Sequence, residues 1–186
     1  MRKLTNDDIA KHSLAASHAR NNDRAAIAVL LDNIRSLYNV GSIFRTSDGA
    51  GIQKLFLTGY TPTPPRREID KTALGATNSV PWEYARNPLE TLATLKRTGV
   101  TILALERTDS SRPYTQVARV EFPICLVIGN ELTGIAPEVL AACDGALEIP
   151  MFGLKHSLNV AVAYGIAVFE LVRRWNSDDQ PSNPLV

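Results

Sequence analysis

The sequence LEIPMFGLKHSLNVAVAYGIAVFEL, from Leu147 to Leu171, joins the end of a strand to a glycine-containing loop and then to a long apolar segment. Its spacing predicts a helix from Leu158 to Trp175, because apolar residues recur every three or four positions. The positions that should face the core are Val160, Ala163, Tyr164, Ala167, Val168 and Leu171. Ser157 is a natural N-cap for this helix, and Asn159 should lie in its first turn. A strand that leads through a loop into a helix indicates an α/β fold.

Short runs rich in Val, Ile and Leu alternate with helix-like segments along the rest of the chain, which is typical of a parallel sheet with helices on both faces. The predicted strands are Ala26–Leu31, Lys54–Thr58, Val80–Glu83, Val100–Leu105, Ile124–Ile128 and Ala146–Ile149. The other predicted helices are Asn6–Arg20, Val40–Ala50, Pro88–Arg97 and Pro137–Ala142. The segment TPTPPRR, Thr61–Arg67, should be an extended surface loop, because proline cannot continue a strand or a helix interior.

The composition is that of a compact globular protein. The chain has 186 residues, of which 45% are hydrophobic and 21% charged, and a domain of this size buries about 70% of its unfolded surface. We expect a helical extension at 1–25, one α/β domain at 26–175 and a polar tail at 176–186. Neither a secretory signal nor a membrane span is evident, so we expect a cytoplasmic protein with Cys125 and Cys143 as buried thiols. The net charge of +1 excludes a general polyanion binder, and RNA binding would need a local patch.

Two further stretches place polar residues directly after buried strands. They are LDNIRSLYNVGSIFRTSDGAG, Leu31–Gly51, and CLVIGNELTGI, Cys125–Ile135. Open parallel sheets bind ligands at the carboxyl ends of their strands, so both stretches predict a site at that edge. Gly129 would allow a ligand to approach the backbone closely, and Gly134 would permit a left-handed turn. Taken singly, these stretches are also compatible with ordinary helix caps, tight turns and solvated arginines.

In this order the three stretches read N-x-G-x-I-x-R-T, G-N-E-x-x-G-I and I-P-M-x-G-x-x-x-S-L-N-V-A-V-A, and they span Leu31 to Leu171. The combination resembles the motifs of the SpoU (TrmH) group in the SPOUT superfamily of RNA 2′-O-ribose methyltransferases. The resemblance implies a homodimer, an S-adenosyl-L-methionine cofactor and a deep trefoil knot at the carboxyl-terminal end of the domain. Such knots are rare exceptions to ordinary chain topology.

The resemblance also implies roles for the residues at matching positions. The cofactor-binding residues would be Leu105, Gly129, Ile149 and Leu158, and the catalytic residues would be Arg45, Asn39, Glu131, Ser157 and Asn159. Arg45 would act on the ribose 2′-hydroxyl and the adjacent phosphate. Because a guanidinium keeps its proton in proteins, we expect Arg45 to orient groups and stabilise charge, not to serve as a base. Asn39 would position the substrate or Arg45, and the other catalytic residues would shape the site around the methyl donor.

Basic residues on and near the proline-containing segment are candidates for RNA contact. They are Arg66, Arg67 and Lys71, together with Arg20 and Arg24 from the amino-terminal segment. No metal site is expected, since His12, His18 and His156 lack the spacing and the acidic or cysteine neighbours of one. Larger members of the family add separate RNA-binding domains, whereas about 25 residues precede the α/β domain here. We therefore expect tRNA, in preference to rRNA, as the substrate.

Several alternatives remain at this point. An rRNA 2′-O-methyltransferase has the same motifs, and a catalytically silent knotted protein that binds RNA would have the same fold. Methylation of a guanine or uracil base is disfavoured, because the polar residues of the motifs fit the ribose-methylating pattern together. A Rossmann fold is also disfavoured, because its first strand should lead into a glycine fingerprint, whereas Ala26–Leu31 leads into DNIRSLYN.

Overall fold

The computed structural model describes residues 1–5, 7–8 and 24–177. The predicted helix Asn6–Arg20 lies outside the described residues apart from Asp7 and Asp8, and so do the candidate RNA contact Arg20 and the last nine residues of the tail. The strands of the described part are β1 (Ala25–Asp32), β2 (Ile52–Thr58), β3 (Trp82–Ala85), β4 (Thr101–Leu105), β5 (Arg112–Pro113), β6 (Ile124–Ile128) and β7 (Gly145–Glu148). The helices are α1 (Leu37–Ala50), α2 (Arg67–Ala73), α3 (Ala76–Ser79), α4 (Pro88–Arg97), α5 (Pro137–Ala141) and α6 (Val160–Trp175).

The strands form one parallel sheet in the order β3-β2-β1-β6-β4-β7-β5. The α/β class is confirmed, and all six predicted strands are present with boundaries shifted by at most two residues. Strand β5 was not predicted, because Arg112 and Pro113 show neither apolar alternation nor a buried run. No helix in the described part of the chain is long and apolar enough to span a membrane.

The core lies on both faces of the sheet, with β1 near its middle. Because β1 is covered on both faces, its sequence AAIAVLLD is almost continuously apolar. Ile27, Val29 and Leu31 pack into the layer that contains α1 and α6. Ala28 and Leu30 point the opposite way and pack with α4 and α5. Cys125 is buried and Cys143 partly buried, and both are free thiols, as predicted.

The amino-terminal ends of two helices differ from the prediction. Helix α1 begins three residues before Val40, because the Ser36 hydroxyl caps it by accepting a hydrogen bond from Asn39 N at 3.3 Å. Helix α6 begins at Val160 and not at Leu158. The prediction that Ser157 caps α6 was wrong: Asn159 is the cap, since its Oδ1 accepts hydrogen bonds from Ala161 N at 3.0 Å and Val162 N at 3.3 Å.

The core face of α6 agrees with the predicted spacing. Tyr164, Ala167, Val168 and Leu171 are buried, and Val160 and Ala163, nearer the amino-terminal end, are partly buried.

The proline-containing segment is a surface loop only in its middle. Thr61 is buried, its hydroxyl donates to Leu31 O at 3.1 Å, and it accepts from Ile34 N at 3.0 Å. Arg67 already begins α2. The predicted loop Thr61–Arg67 was therefore wrong at both ends. The short helices α2 and α3 were missed because seven and four residues are too few for a helical period to be recognised.

Helix α1 packs against α2 at one glycine. A β-carbon on Gly41 would overlap the Ile69 carbonyl and the Thr72 hydroxyl. The glycine of the first motif is thus required for a close helix contact, and this contact fixes the helix that begins with Arg67 and includes Lys71.

Candidate functional site

The carboxyl ends of β4, β6 and β7, together with the start of α6, surround a cavity of about 520 Å³. Seven of the predicted catalytic and cofactor-binding residues line this cavity: Leu105, Gly129, Glu131, Ile149, Ser157, Leu158 and Asn159. They come from loops that are far apart in the sequence but adjacent in space, because neighbouring parallel strands end at the same edge of the sheet. The four residues proposed to bind the cofactor are all in this group.

The loop after β6 is a tight turn that closes on itself. A β-carbon on Gly129 would overlap the backbone of Gly134 and Ile135. The glycine is therefore needed for the close approach of the chain's own backbone, a reason that the sequence did not indicate. Gly134 has the left-handed conformation expected of it, with φ of 70°. The Asn130 side chain holds the turn by accepting hydrogen bonds from Leu132 N and Thr133 N.

Glu131 projects from this turn to the start of α1. Its Oε2 accepts from Arg35 N at 2.8 Å, and its Oε1 accepts from Ser36 N at 2.9 Å and from Asn39 Nδ2 at 2.9 Å. Partial burial opposes ionisation, but hydrogen bonds from Arg35, Asn39 and Ser36 together hold the pKa of Glu131 below its usual range. Glu131 is therefore an ionised acceptor with three donors, which suits a positioning group better than a general base.

Asn39 connects Glu131 to the start of α6. The Asn159 Nδ2 donates to Asn39 Oδ1 at 3.1 Å, while Asn159 Oδ1 caps α6. A continuous chain of hydrogen bonds therefore runs from Glu131 through Asn39 to Asn159, and it joins all three sequence motifs. Ser157 lies beside this chain in the cavity wall and makes no side-chain hydrogen bond within the described ranges.

Two predicted catalytic residues, Asn39 and Arg45, are absent from the cavity lining. Asn39 is hydrogen-bonded to Glu131 and Asn159, which line the cavity, whereas Arg45 has no such connection. Arg45 lies on α1 six residues after Asn39, which corresponds to about 9 Å along the helix and about 240° around it. Its side chain is exposed and forms no hydrogen bond or ion pair with the part of the chain that is described.

An exposed apolar strip runs along α6 beside α1. Val162, Ile166 and Phe169 are 52%, 37% and 52% exposed, and they continue the line that Leu158 begins at the cavity. The two helices meet at Ser47 and Tyr164, whose buried hydroxyls share a hydrogen bond of 2.7 Å. The apolar strip therefore flanks the helix that carries Arg45.

The basic residues proposed for RNA contact divide into two groups. Arg66, Arg67 and Lys71 are exposed near the carboxyl ends of β1 and β2, at the edge of the sheet where the motif loops lie. Arg24 lies at the opposite edge, where its guanidinium donates to Ile52 O at 3.0 Å and Ser79 O at 2.9 Å. The Arg24 guanidinium therefore links two backbone carbonyls, and Arg24 is not proposed as an RNA contact.

Two acidic residues of the cavity were missed from the sequence. Glu106 directly follows β4 and accepts from Ile135 N at 3.1 Å, and Glu148 ends β7 and accepts from the Ser111 hydroxyl at 2.9 Å. Both line the cavity together with Arg107. An acidic residue at the carboxyl end of a buried strand was the signal that could have identified them.

Asp32, the last residue of β1, holds the end of the loop after β6. It is buried, and its Oδ2 accepts from Ala136 N at 3.0 Å, at the start of α5. Burial raises the pKa of Asp32, the hydrogen bond from Ala136 opposes that shift, and the charge of Glu138 adds to it. The last residue of β1 thus anchors the end of the loop that carries Glu131.

The family model of the SpoU rRNA Methylase family matches residues 26–169 of this chain. A tRNA (guanosine(18)-2′-O)-methyltransferase of Aquifex aeolicus (strain VF5) is 33% identical over 159 residues, which cover 85% of this chain and 74% of that protein. The crystal structure of the A. aeolicus TrmH/SpoU tRNA modifying enzyme matches with a TM-score of 0.77 at 29% identity, over 89% of this chain and 83% of the other. An AdoMet-bound rRNA methyltransferase from Sinorhizobium meliloti matches with a TM-score of 0.75 at 30% identity, over 83% of this chain and 59% of the other.

Proposed function

Because this chain belongs to the SpoU rRNA methylase family, we propose that it transfers a methyl group from S-adenosyl-L-methionine to a ribose 2′-hydroxyl of a structured RNA, with tRNA as the preferred substrate. The observation that carries the proposal is the hydrogen-bonded chain Glu131–Asn39–Asn159 at a cavity formed by the motif loops. A related rRNA methyltransferase binds AdoMet, which supports the same cofactor here.

The cavity has the chemical character that this cofactor needs. Leu105, Ile149 and Leu158 offer apolar contact for an adenine ring, and the carboxylates of Glu106 and Glu148 can accept hydrogen bonds from hydroxyl or ammonium groups. Acidic residues also favour a cofactor with a cationic sulfonium. These residues would hold the cofactor, and Gly129 keeps the intervening loop closed.

The cofactor supplies an activated methyl group, so the protein's task is alignment and charge stabilisation. We propose that Arg45 binds the 2′-hydroxyl and the adjacent phosphate and stabilises charge as the hydroxyl loses its proton. The adjacent RNA phosphate is the proposed aid to proton removal, since a guanidinium is a poor base. Asn39, fixed by Glu131 and Asn159, would orient the reacting ribose, and Ser157 would complete the wall beside the methyl donor.

We further propose that the enzyme is a homodimer in which Arg45 of one protomer completes the cavity of the other. Two observations support this arrangement: Arg45 has no partner within the described part of its own chain, and the apolar strip Leu158–Phe169 beside it is exposed. Burial of apolar surface is the main favourable term in protein association. A closed C2 dimer would pair the two strips.

Chain topology, domain boundaries and cellular location are also part of the proposal. We propose the deep trefoil knot on the support of the tight packing between Glu106, Gly134 and Leu147, which draws the loops after β4 and β6 towards β7. We retain the divisions 1–25, 26–175 and 176–186. A cytoplasmic location would follow from a tRNA substrate, and no metal ion is required by the proposed chemistry.

An rRNA substrate is the second candidate, because the matched proteins include an rRNA methyltransferase. The deciding experiment is transfer of labelled methyl groups from S-adenosyl-L-methionine to total tRNA and total rRNA that lack the modification, followed by nucleoside mass analysis. A 2′-O-methylated nucleoside in tRNA, lost with Arg45→Ala, is the expected result. A product only in rRNA would shift the substrate, a methylated base would contradict the ribose reaction, and cofactor binding without product would favour the silent RNA-binding alternative.

A further inference from the structure

A second pocket lies beside the cofactor cavity, at the carboxyl ends of β1 and β2. It has a volume of about 430 Å³ and is lined by Arg35, Leu37, Tyr60, Pro62 and Arg66. Arg35 follows β1 and Tyr60 follows β2, and these two strands are paired in parallel. The pocket therefore opens at the same edge of the sheet as the cofactor cavity.

The lining combines two free cations with an exposed aromatic ring. Neither the guanidinium of Arg35 nor that of Arg66 has a hydrogen bond or ion pair within the described ranges, and both side chains are exposed. Tyr60 is 61% exposed, so its ring is accessible to a ligand in the pocket. Leu37 and Pro62 supply the apolar part of the wall.

The residues of the cofactor site hold this pocket in shape. The Asn130 Nδ2 donates to the Tyr60 hydroxyl at 2.8 Å, and Glu131 Oε2 accepts from Arg35 N at 2.8 Å. On the other side, Tyr60 N donates to Asn33 Oδ1 at 3.1 Å. Asn130 and Glu131 also line the cofactor cavity. One short turn therefore separates the two pockets and fixes their relative position.

We infer that the pocket of Arg35, Tyr60 and Arg66 binds a nucleotide of the RNA substrate beside the one that is methylated, with its base stacked on Tyr60 and its phosphates on the two arginines. The inference rests on the proposed RNA substrate. Single-stranded bases that are splayed out of an RNA are commonly stacked on aromatic side chains, while arginines bind the phosphates. An isolated anion would need the arginines alone and would leave Tyr60 unexplained.

Glu131 and Asn130 would also position the pocket relative to the cofactor cavity. By fixing Arg35 N and the Tyr60 hydroxyl, this pair sets the distance between the neighbouring nucleotide and the cofactor. The neighbouring nucleotide would hold the RNA backbone so that the target ribose faces Asn39. Arg35 and Tyr60 are thus specificity residues, and they act on substrate binding more than on the chemical step.

The test measures RNA affinity separately from cofactor affinity. An unmodified transcript of the RNA that is methylated in the preceding experiment is titrated at several salt concentrations with the unaltered protein and with Tyr60→Ala, Tyr60→Phe, Arg35→Ala and Arg66→Ala. Tyr60→Ala should weaken binding about tenfold with little change in salt dependence, because base stacking is lost. Tyr60→Phe keeps the ring and should remain within about threefold. Each arginine variant should weaken binding and reduce the slope of log affinity against log salt by about 0.7 to 0.9.

Arg97→Ala is the matched control, because Arg97 is an exposed arginine at the end of α4, on the opposite edge of the sheet. It should leave both affinity and slope near those of the unaltered protein. Binding of S-adenosylhomocysteine should be unchanged in every variant, which separates loss of RNA contact from collapse of the cofactor site. If the unaltered protein methylates RNA but Tyr60→Ala and both arginine variants behave like Arg97→Ala, only the present inference is wrong. If no RNA is bound or methylated, the proposed function fails with it.

Discussion

Glu131 accepts three hydrogen bonds from the start of α1, and all three would be weakened if its charge were removed. The carboxylate spans the gap between the loop after β6 and the helix that carries both Asn39 and Arg45. Asn39 in turn receives a hydrogen bond from Asn159. The side chains of the site are therefore positioned by a chain of hydrogen bonds that begins at the Glu131 carboxylate. Removing that charge should weaken the whole chain.

We predict that Glu131→Gln lowers methyl transfer at least tenfold and lowers the free energy of unfolding by about 2 kcal/mol at neutral pH, since an amide NH₂ would face N–H donors. The folded-state pKa of Glu131 lies below its ordinary value of 4.5. Its contribution to stability is therefore present above that value and is lost as the pH falls through the lower folded-state pKa. Urea unfolding from pH 7 to pH 3 should show the difference between the two proteins shrinking at the acid end. A difference that grows on acidification would contradict the assignment.

The proposed charge-stabilising role of Arg45 can be tested by substitution. Arg45→Ala should lower the turnover number by about 100- to 1,000-fold, because a preorganised charge-stabilising group is removed. Arg45→Lys should restore little of this, since an ammonium cannot make the paired contacts of a guanidinium. Because the side chain is exposed and has no partner in the described part of the chain, unfolding curves should be unchanged. Activity of Arg45→Ala equal to that of Arg97→Ala would remove Arg45 from the mechanism.

Among the secondary-structure elements, the contact between α1 and α2 connects the helix that carries Asn39 and Arg45 to the proposed RNA-binding surface. Gly41 allows the two helices to touch, and no larger residue fits between Ile69 and Thr72. Helix α2 has Arg67 at its start and Lys71 in its last turn. The position of these cations therefore depends on a glycine of the first motif.

We predict that Gly41→Ala destabilises the protein by about 1 to 3 kcal/mol, because the added methyl group must push α1 and α2 apart. Gly49→Ala is the control on the same helix: its added carbon meets only Phe169 at 3.8 Å, and alanine is the better helix former by up to about 1 kcal/mol. Thermal unfolding and RNA affinity should both decline for Gly41→Ala and be maintained for Gly49→Ala. Equal stability of the two variants would show that α2 can move away from α1 without loss of stability.

For the molecule as a whole, a single chain does not bring the proposed catalytic residue Arg45 to the cavity. The cavity with Glu131, Asn39 and Asn159 is present in one chain, whereas Arg45 lies on another side of α1. The exposed strip from Leu158 to Phe169 offers the surface through which a second copy could bring its own Arg45.

We predict that two inactive variants complement each other. In a mixed dimer of Arg45→Ala with Glu131→Gln, one site combines an unaltered cavity with an unaltered Arg45, and the other site carries both changes. Random mixing after mild denaturation should therefore restore about one quarter of the unaltered activity, as expected for a symmetric dimer with sites shared across its interface. No recovery would show that each site uses the Arg45 of its own chain. Ile166→Glu, in the middle of the strip, should give a monomer that does not complement.

The sequence alone determined those features whose physical cause is local. Buried parallel strands are continuously apolar, so β1, β2, β4 and β6 were evident, and the spacing in α6 identified its core face. The motif residues Gly129, Ile149 and Leu158 also pointed to one cavity, because the carboxyl ends of neighbouring strands meet. Glycine at position 129 was identified correctly, but its reason was not, since the atoms that exclude a side chain come from Gly134 and Ile135.

Features that depend on which distant groups come together became apparent only from the folded chain. The cap of α6 is Asn159 and not Ser157, because the helix begins at Val160 and the Asn159 side chain is also held by a hydrogen bond to Asn39, 120 residues away. Glu106 joined the cavity through a partner 29 residues away, and Arg24 was found to hold a backbone carbonyl 55 residues away. The pocket of Arg35, Tyr60 and Arg66 has the same origin, since its walls come from the loops after β1 and β2 and from the start of α1. Hydrophobic periodicity depends only on which face of a segment is buried in the core, so it can be recognised locally. The hydrogen-bond partners of a polar side chain depend on how the entire chain packs.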